Sequence, residues 1–565
     1  MKKVLSNMII KYLDGYSDNE VEQLLEIPPE ASMGDYSLPC FSLSKRLRKS
    51  PKIIADQLKL DLEHDLNKSI ISEILSVNGY LNIHLNKSNF IKSILDKVHT
   101  IDFNLGSEGT DKVICMDYSS PNIAKNFHVR HLRTTVIGNS LYKIYSKLGY
   151  KVIRINHLGD WGTQFGKLIV GYKNWSSKEQ VEHSGIEELL RIYVLFNEKA
   201  LSDPKLHEDA RFWFSKMEQG DKEALSIWKW FKEISLKEFN RVYKLLRMEF
   251  DHYLGESFYM DKVPALVAVL SEKGLLEESQ GANIINLEAY NMPPCLITKS
   301  DGSSIYHSRD MAAILYRLEE YHFEKCLYVT GLEQKLHFAQ VFKAIELMGY
   351  DWTDGLVHIP YGLVSLEGEK LSTRAGNIIY AEDILHEAIR RSSELITHKN
   401  PNLNDKDHIA ELVGIGAVIF HDLFNQRIKN ANFSWDEVLN FDGATGPYVQ
   451  YTYARAKSIL RKGNVDKINF NINTDLLVDG TSYHLVKEIA SFPDKVKESA
   501  TRYEPSVVAR YVWGLATTFN KFYQDCNILN AEKNVKEARI VLVYLTQKII
   551  KDAMELLGIE CPEEM

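Results

Sequence analysis

His128 and His131, three residues apart at the head of a helical pattern, are well suited by type and spacing to phosphate chemistry. On one helix face their ring N–H groups would donate to a phosphate and follow it as charge builds. Ser119, Ser120, Pro121, Asn122 and Lys125 run just ahead of them. Lys112 to Met116 reads as a buried parallel strand, and Leu132, Val136, Ile137, Leu141, Ile144 and Leu148 read as a helix. A strand that turns into a helix here sets the helix N-terminus, with its free N–H groups and positive dipole end, at the sheet's carboxyl edge. That is a seat for phosphate. By itself a histidine pair at this spacing is more often an ordinary surface or core pair. Zinc is set aside, because no third ligand lies nearby and no CxxC occurs.

A second group of residues suits a cationic ligand. Tyr306 and Asp310, four apart, share a helix face, and Gln334 follows a strand, Lys325 to Thr330, that runs into Gly331. Asp117 and Asn122 are expected to face the same crevice. Carboxylates there fit a guanidinium and an α-amino group, since forked, charge-assisted hydrogen bonds separate arginine from lysine. Taken alone, Asp310 reads better as a charge at a helix N-terminus. Lys370 lies in Glu369-Lys-Leu-Ser-Thr-Arg-Ala-Gly376, where a lysine is ordinarily just solvated. Near the C-terminal side, Tyr448 and Tyr451 with Arg455 and Lys457 could stack bases and hold phosphates. A bundle core edged with solvated charges is the plainer account of that segment.

The elements that must position these residues follow from size and pattern. At 565 residues the chain exceeds one core, and length suggests about three to five domains. Residues 1–105 read as a small α+β unit, 106–170 and 291–385 as two halves of an α/β sheet, 171–290 as a helical insertion, and 386–565 as an all-helical bundle. The aromatics of the insertion, Trp213, Trp228, Trp230, Phe231 and Phe239, are expected in its core. Apolar residues at 45 % and charged residues at 25 % describe an ordinary soluble protein. The net charge of −8 argues against a DNA-coating protein, yet leaves room for a local basic surface that binds RNA. Six scattered cysteines read as reduced thiols, and neither a signal peptide nor a membrane span is expected, so a cytoplasmic protein is.

Ser119-Ser-Pro-Asn-Ile-Ala-Lys125, the His128-x-x-His131-Leu-Arg run, and Asn156-His-Leu-Gly-Asp-Trp-Gly-Thr-Gln-Phe-Gly166 closely resemble the nucleotide-binding half of arginyl-tRNA synthetases, which are class I enzymes. The resemblance implies a Rossmann-like nucleotide-binding sheet, with an N-terminal added domain and a C-terminal anticodon-binding bundle. Gly34 to Ala55 and Asn78 to Leu85 resemble that added domain, which contacts the outer corner of tRNA, with Lys45, Arg46, Arg48, Lys49 and Lys52 suited to phosphates. Asp117, Asn122, Tyr306, Asp310 and Gln334 match the family's arginine-binding positions. His128, His131, Gly331 and Lys370 match its ATP site, and Lys125 is implied to stand in for the second loop lysine, replaced here by Thr373. Thr445 to Ala456 resembles the anticodon-binding helix, carrying Tyr448, Tyr451 and Arg455. The implied reaction activates arginine with ATP and Mg²⁺, then charges tRNA(Arg), which must be bound before activation. A monomer is the family default.

One position departs from the family. Arg130 stands where the signature has glycine, so that adenine can lie flat on the backbone. A cation in the first helical turn also opposes the dipole by about 0.3–1 kcal/mol. Weakened ATP binding is expected, and with it a second reading as an impaired or non-enzymatic paralogue that binds tRNA or arginine. A cysteinyl enzyme, which has a related helical domain, would need cysteine ligands to a metal, and the dispersed cysteines speak against it.

Overall fold

Short apolar runs separated by long helical stretches fold into one five-stranded parallel sheet. Its strands are β1 (Val113–Asp117), β2 (Lys151–Asn156), β3 (His252–Tyr253), β4 (Lys325–Gly331) and β5 (Leu356–Tyr361), in the spatial order β5-β4-β1-β2-β3. The order reverses between β1 and β4, which pair in register from Lys325 opposite Ile114 to Tyr328 opposite Asp117. Doubly wound sheets bind ligands at such a switch point, outside the carboxyl ends of the strands. The computed structural model describes all residues except 65, 66, 101, 301, 367, 368, 371–379 and 466, and only the backbone of 31, 99, 100, 102–104, 366, 369 and 370.

Helix α1 (Val129–Lys147) follows β1, α2 (Tyr306–Tyr321) precedes β4, and α3 (Lys335–Leu347) leads from β4 to β5. Cys115, Ile155, Cys326 and Tyr328 of the sheet pack against Met311 and Ile314 of α2 and Phe338, Val341 and Ile345 of α3 in one buried cluster. Gly138 in α1 is required by close packing: a Cβ there would meet the Tyr118 side chain at 2.2–2.5 Å. Five helices between Thr163 and Leu245 separate β2 from β3 along the chain. Trp228, Phe231 and Phe239 are buried there, as expected of core aromatics, while Trp213 and Trp230 are half-buried.

The expectation of helix across 171–290 is corrected. After Leu245 the chain returns to the sheet as β3, and residues 277–298 form an antiparallel three-stranded sheet. Two residues of strand are too few to show a period, which is why the pattern hid β3.

By contact the chain divides into two compact units. One joins residues 1–103 to 462–490 and 521–544, and the other holds the parallel sheet and the remaining residues. In the first, strands Tyr36–Pro39, Tyr80–Leu85 and Ile71–Val77 make an antiparallel sheet. Asp35 accepts from the Leu85 N–H at 2.9 Å and pairs with Lys487 at 3.2 Å. Of the five basic residues expected to meet phosphate, Arg46 is engaged locally: it donates to Gly15 O at 2.7 Å and Glu20 at 2.9 Å and stacks on Tyr16. Lys45, Arg48, Lys49 and Lys52 are exposed. All six cysteines are free thiols, five of them buried. No helix among the described residues is long and apolar enough to cross a membrane.

Candidate functional site

The turn from β1 to α1 is strained and held. Ser119, Ser120 and Ala124 all have positive φ, of 71°, 45° and 58°, a region L-residues occupy only when their surroundings enforce it. The enforcing bonds come from elsewhere in the chain. Ser119 donates its N–H to Thr134 Oγ1 at 3.2 Å, and its hydroxyl meets Tyr243 OH and Thr135 Oγ1, each at 2.7 Å. The Ala124 N–H donates to Ser235 Oγ at 2.9 Å. Asn122 pairs by its backbone with Gly159, where a Cβ would stand 2.0 Å from Asn122 Oδ1 and push that side chain aside.

His128 takes the N-cap position of α1 and His131 the third helical one. Their rings stack with centroids 3.8 Å apart, and the His128 N–H donates to His131 Nδ1 at 3.4 Å. Burial, reinforced by the charges of Arg130 and Lys125, pushes the His128 pKa down to about 4. Burial likewise carries His131 well below the ordinary value, helped by His128 and Lys125. Both rings are therefore neutral donors near pH 7, and Arg130 bears on them as an adjacent charge. Burial also lowers the pKa of Lys125.

The loop after β5 returns to the same helix. Strand β6 (Val364–Leu366) pairs with β7 (Glu369–Lys370) and with β8 (Ala431–Phe433). The Lys370 backbone lies opposite Ser365; its side chain, and residues 371–379 with Thr373, lie outside the described residues. Beyond them Tyr380 bridges to His128, and the Ala381 N–H donates to Phe127 O at 3.0 Å.

At the switch point the two key carboxylates are joined through a chain of side chains. Asp117 accepts from Arg317 Nη2 at 2.8 Å and from Ser120 Oγ at 2.8 Å. Arg317 is fully buried and also meets His157 Nδ1 at 3.3 Å. His157 Nε2 stands 3.8 Å from Asp310 Oδ1, and Asp310 Oδ2 accepts from His337 Nε2 at 2.5 Å. Burial alone would raise the Asp310 pKa, but the His337 hydrogen bond and the charges of His337, His157 and Arg317 outweigh it and hold the group below its ordinary value. Tyr306 opens α2, remains 62 % exposed, and carries the Arg309 guanidinium 4.9 Å from its ring centre. Gln334 is exposed in the turn between β4 and α3, just after Gly331.

Asp117 and Asp310 are thus brought together through other residues, and Asn122 is bridged to Gly159, two residues after His157. The linkers Arg317, His157 and His337 were not singled out by sequence as site residues. Arg317 sits seven residues after Asp310 and so on the same helix face, a signal too weak to act on. Glu256 was also missed: it is buried, 3.4 Å from Arg309, and burial pushes its pKa up to about 8.

Helices α4 (Ala381–Lys399), α5 (Lys406–Phe424) and α6 (Gly446–Lys462) follow. On α6 the expected RNA-facing residues share one face. Tyr448 OH accepts from Asn520 Nδ2 at 2.9 Å, Arg455 donates to Asn520 Oδ1 at 2.6 Å, and the Arg455 guanidinium lies 4.8 Å from the ring centre of the 40 % exposed Tyr451. Arg133 of α1 is fully buried and reaches Asp422 of α5 at 3.2 Å and the carbonyls of Arg427 and Lys429 at 3.1 and 2.9 Å.

Comparison with known proteins agrees with this geometry. The family described as "tRNA synthetases class I (R), catalytic domain" matches residues 92–435; the chain is a class I aminoacyl-tRNA synthetase. "Arginyl tRNA synthetase N terminal domain" matches 1–85, and "DALR anticodon binding domain" matches 449–565. The arginine–tRNA ligases of Alkaliphilus metalliredigens and Clostridioides difficile are 47 % and 48 % identical to it, each over 100 % of this chain and 99 % of theirs. The chain belongs to the arginyl-tRNA synthetase family. The Plasmodium falciparum arginyl-tRNA synthetase structure superposes with a TM-score of 0.82 at 26 % identity, covering 100 % of this chain and 98 % of that one. The Thermus thermophilus enzyme shares the fold with a TM-score of 0.84 at 24 % identity, covering 100 % of both chains.

Proposed function

We propose that this chain activates L-arginine with ATP and transfers it to the 3′-terminal ribose of tRNA(Arg). A carboxylate oxygen of arginine attacks the α-phosphorus of ATP, pyrophosphate leaves, and arginyl-adenylate forms. The ribose hydroxyl then attacks the acyl carbon and AMP leaves. Mg²⁺ enters with ATP as part of the substrate.

The observation that carries this reading is the joined pair Asp117 and Asp310 at the switch point, beside a helix N-terminus with two neutral histidines. Asp310, Asn122, Tyr306 and Gln334 bind the amino acid. Asp117 contributes the lone pairs that Arg317 and Ser120 leave open, since each carboxylate oxygen can accept twice. His128, His131 and Lys125 line the phosphate end, where fixed donors stabilise charge that develops only during reaction, and Lys370 is assigned to act on the same phosphates. The adenosine end lies by Gly331. Tyr448, Tyr451 and Arg455 meet the anticodon loop, the N-terminal domain meets the tRNA outer corner, and tRNA binds before activation. The protein works as a cytoplasmic monomer.

Arginine-dependent ATP–pyrophosphate exchange, run with and without tRNA(Arg), tests the reading. Exchange that requires arginine and rises steeply with tRNA is expected. Absence of both exchange and charging at every substrate concentration would defeat it.

A further inference from the structure

We propose that His157 and His337 are positioning residues that hold the Asp310 carboxylate on the cationic end of the amino acid, with Arg317 setting the tautomer of His157. The proposal rests on the arginine-site reading above and extends it to residues that no ligand need touch.

A guanidinium has only donors. His157 Nδ1, 3.3 Å from Arg317 Nη2, must therefore accept, and the ring proton sits on Nε2. That nitrogen faces Asp310 Oδ1 at 3.8 Å, too far for a hydrogen bond but within reach of a favourable dipole. The His157 ring cannot turn freely, because it stacks on Tyr259 with centroids 5.5 Å apart and planes 19° apart. Arg317 is fixed in turn by Asp117 and by the rings of Tyr259 and Tyr328, 6.0 and 5.4 Å away. On the other side, His337 Nε2 donates to Asp310 Oδ2, and its ring packs against His307 at 4.5 Å and Phe338 at 5.2 Å. Asp310 is thus hydrogen-bonded by one N–H, from α3, and faced by a second from the turn after β2. Each of its oxygens keeps a lone pair for a ligand.

The ionisable surroundings of Asp310 are His157, His337 and Arg317, which favour its charged form, and Glu256, Tyr306 and His307, whose titration it also feels. Burial opposes ionisation, so the carboxylate depends on its donors. Without the His337 hydrogen bond, burial regains control and Asp310 takes up a proton at a higher pH. Arginine affinity then becomes sensitive to mild acid.

Calorimetric titration of L-arginine into the full-length protein at pH 8, 7 and 6 tests this. Wild-type affinity is expected to stay flat. His337→Ala is expected to lose about tenfold at pH 8 and about tenfold more by pH 6. His337→Gln, whose amide reaches the same oxygen, restores the flat profile, while His157→Ala loses about threefold in the same pH direction. Identical profiles in wild type and all three variants overturn the proposal. So does a loss equal at every pH that Gln does not restore, which marks a purely structural role. If His337→Ala does not fold, His337→Asn, too short to reach Oδ2, takes its place, and a profile equal to that of Gln overturns the proposal. A wild type that binds no arginine at any pH refutes the arginine-site reading itself, which is a distinguishable result.

Discussion

The amino-acid end and the phosphate end of the cleft are built by opposite means. At the amino-acid end, Asp117 and Asp310 are set by partners distant in sequence: Arg317, His157 and His337 come from three separate elements. At the phosphate end, His128, His131 and Lys125 lie within one short stretch, and a helix start places them. The first end is held by a buried polar network, so its failure is a failure of folding as well as of binding. The second sits at a helix start whose turn is pinned from outside by Tyr243 and Ser235, but its histidine rings take no part in that pinning, so changing a ring touches reactivity first.

The sharpest way to break this contrast is at Asp117. Removing it leaves the buried Arg317 guanidinium without its carboxylate, and loss of one partner of a buried ion pair costs about 3–5 kcal/mol. Asp117→Ala is expected to lower stability to guanidinium chloride by that amount, and Asp117→Ala with Arg317→Met to regain most of it. A loss below about 1 kcal/mol, the range of a surface pair, would show that the network is not structural.

His131→Ala at the other end is expected to leave the denaturation midpoint nearly unchanged and to cut the exchange rate about 10²–10³-fold, the usual loss when one preorganised donor to a transition state is removed. A variant that unfolds as readily as Asp117→Ala would erase the difference between the two ends.

Arg130→Gly sharpens the comparison on a smaller scale. Relief of the charge against the helix dipole is about 0.3–1 kcal/mol, which lowers KM for ATP about two- to fivefold. Wild type and variant with equal KM values would dismiss the steric and electrostatic objection to Arg130.

The last effect is one of pH. Burial holds His128 down to about 4, against an ordinary value of 6.5, and burial does the same to His358. Between those values the unfolded chain binds protons that the folded one refuses, so stability rises with pH across that window and falls as pH drops from 6.5 toward 4. His358→Gln is expected to flatten part of that decline in melting temperature. A melting temperature constant from pH 6.5 to 4 would contradict the burial of both rings.

The same contrast explains what could be read in advance. The strands Val113–Asp117, Lys151–Asn156 and Lys325–Gly331 announce themselves as short apolar runs, the helix from Val129 by period, and the histidine pair by spacing. All depend on neighbours within a few residues. Asp117 and Asp310 were found through resemblance, but Arg317 was not, because its hydrogen bond spans 200 residues of chain. No local pattern encodes such a contact. The joining of residues 1–103 with 462–490 and 521–544 into one unit was hidden for the same reason.

Arg133 has a practical consequence for anyone recombining such proteins. The helix that begins at the paired histidines is bolted, less than two turns on, to Asp422 and to two carbonyls of the segment before β8. A transplanted C-terminal half lacking an acid at position 422 would strand a guanidinium in the interior. The graft would then fail at the catalytic helix, even though every residue that touches nucleic acid had been copied faithfully.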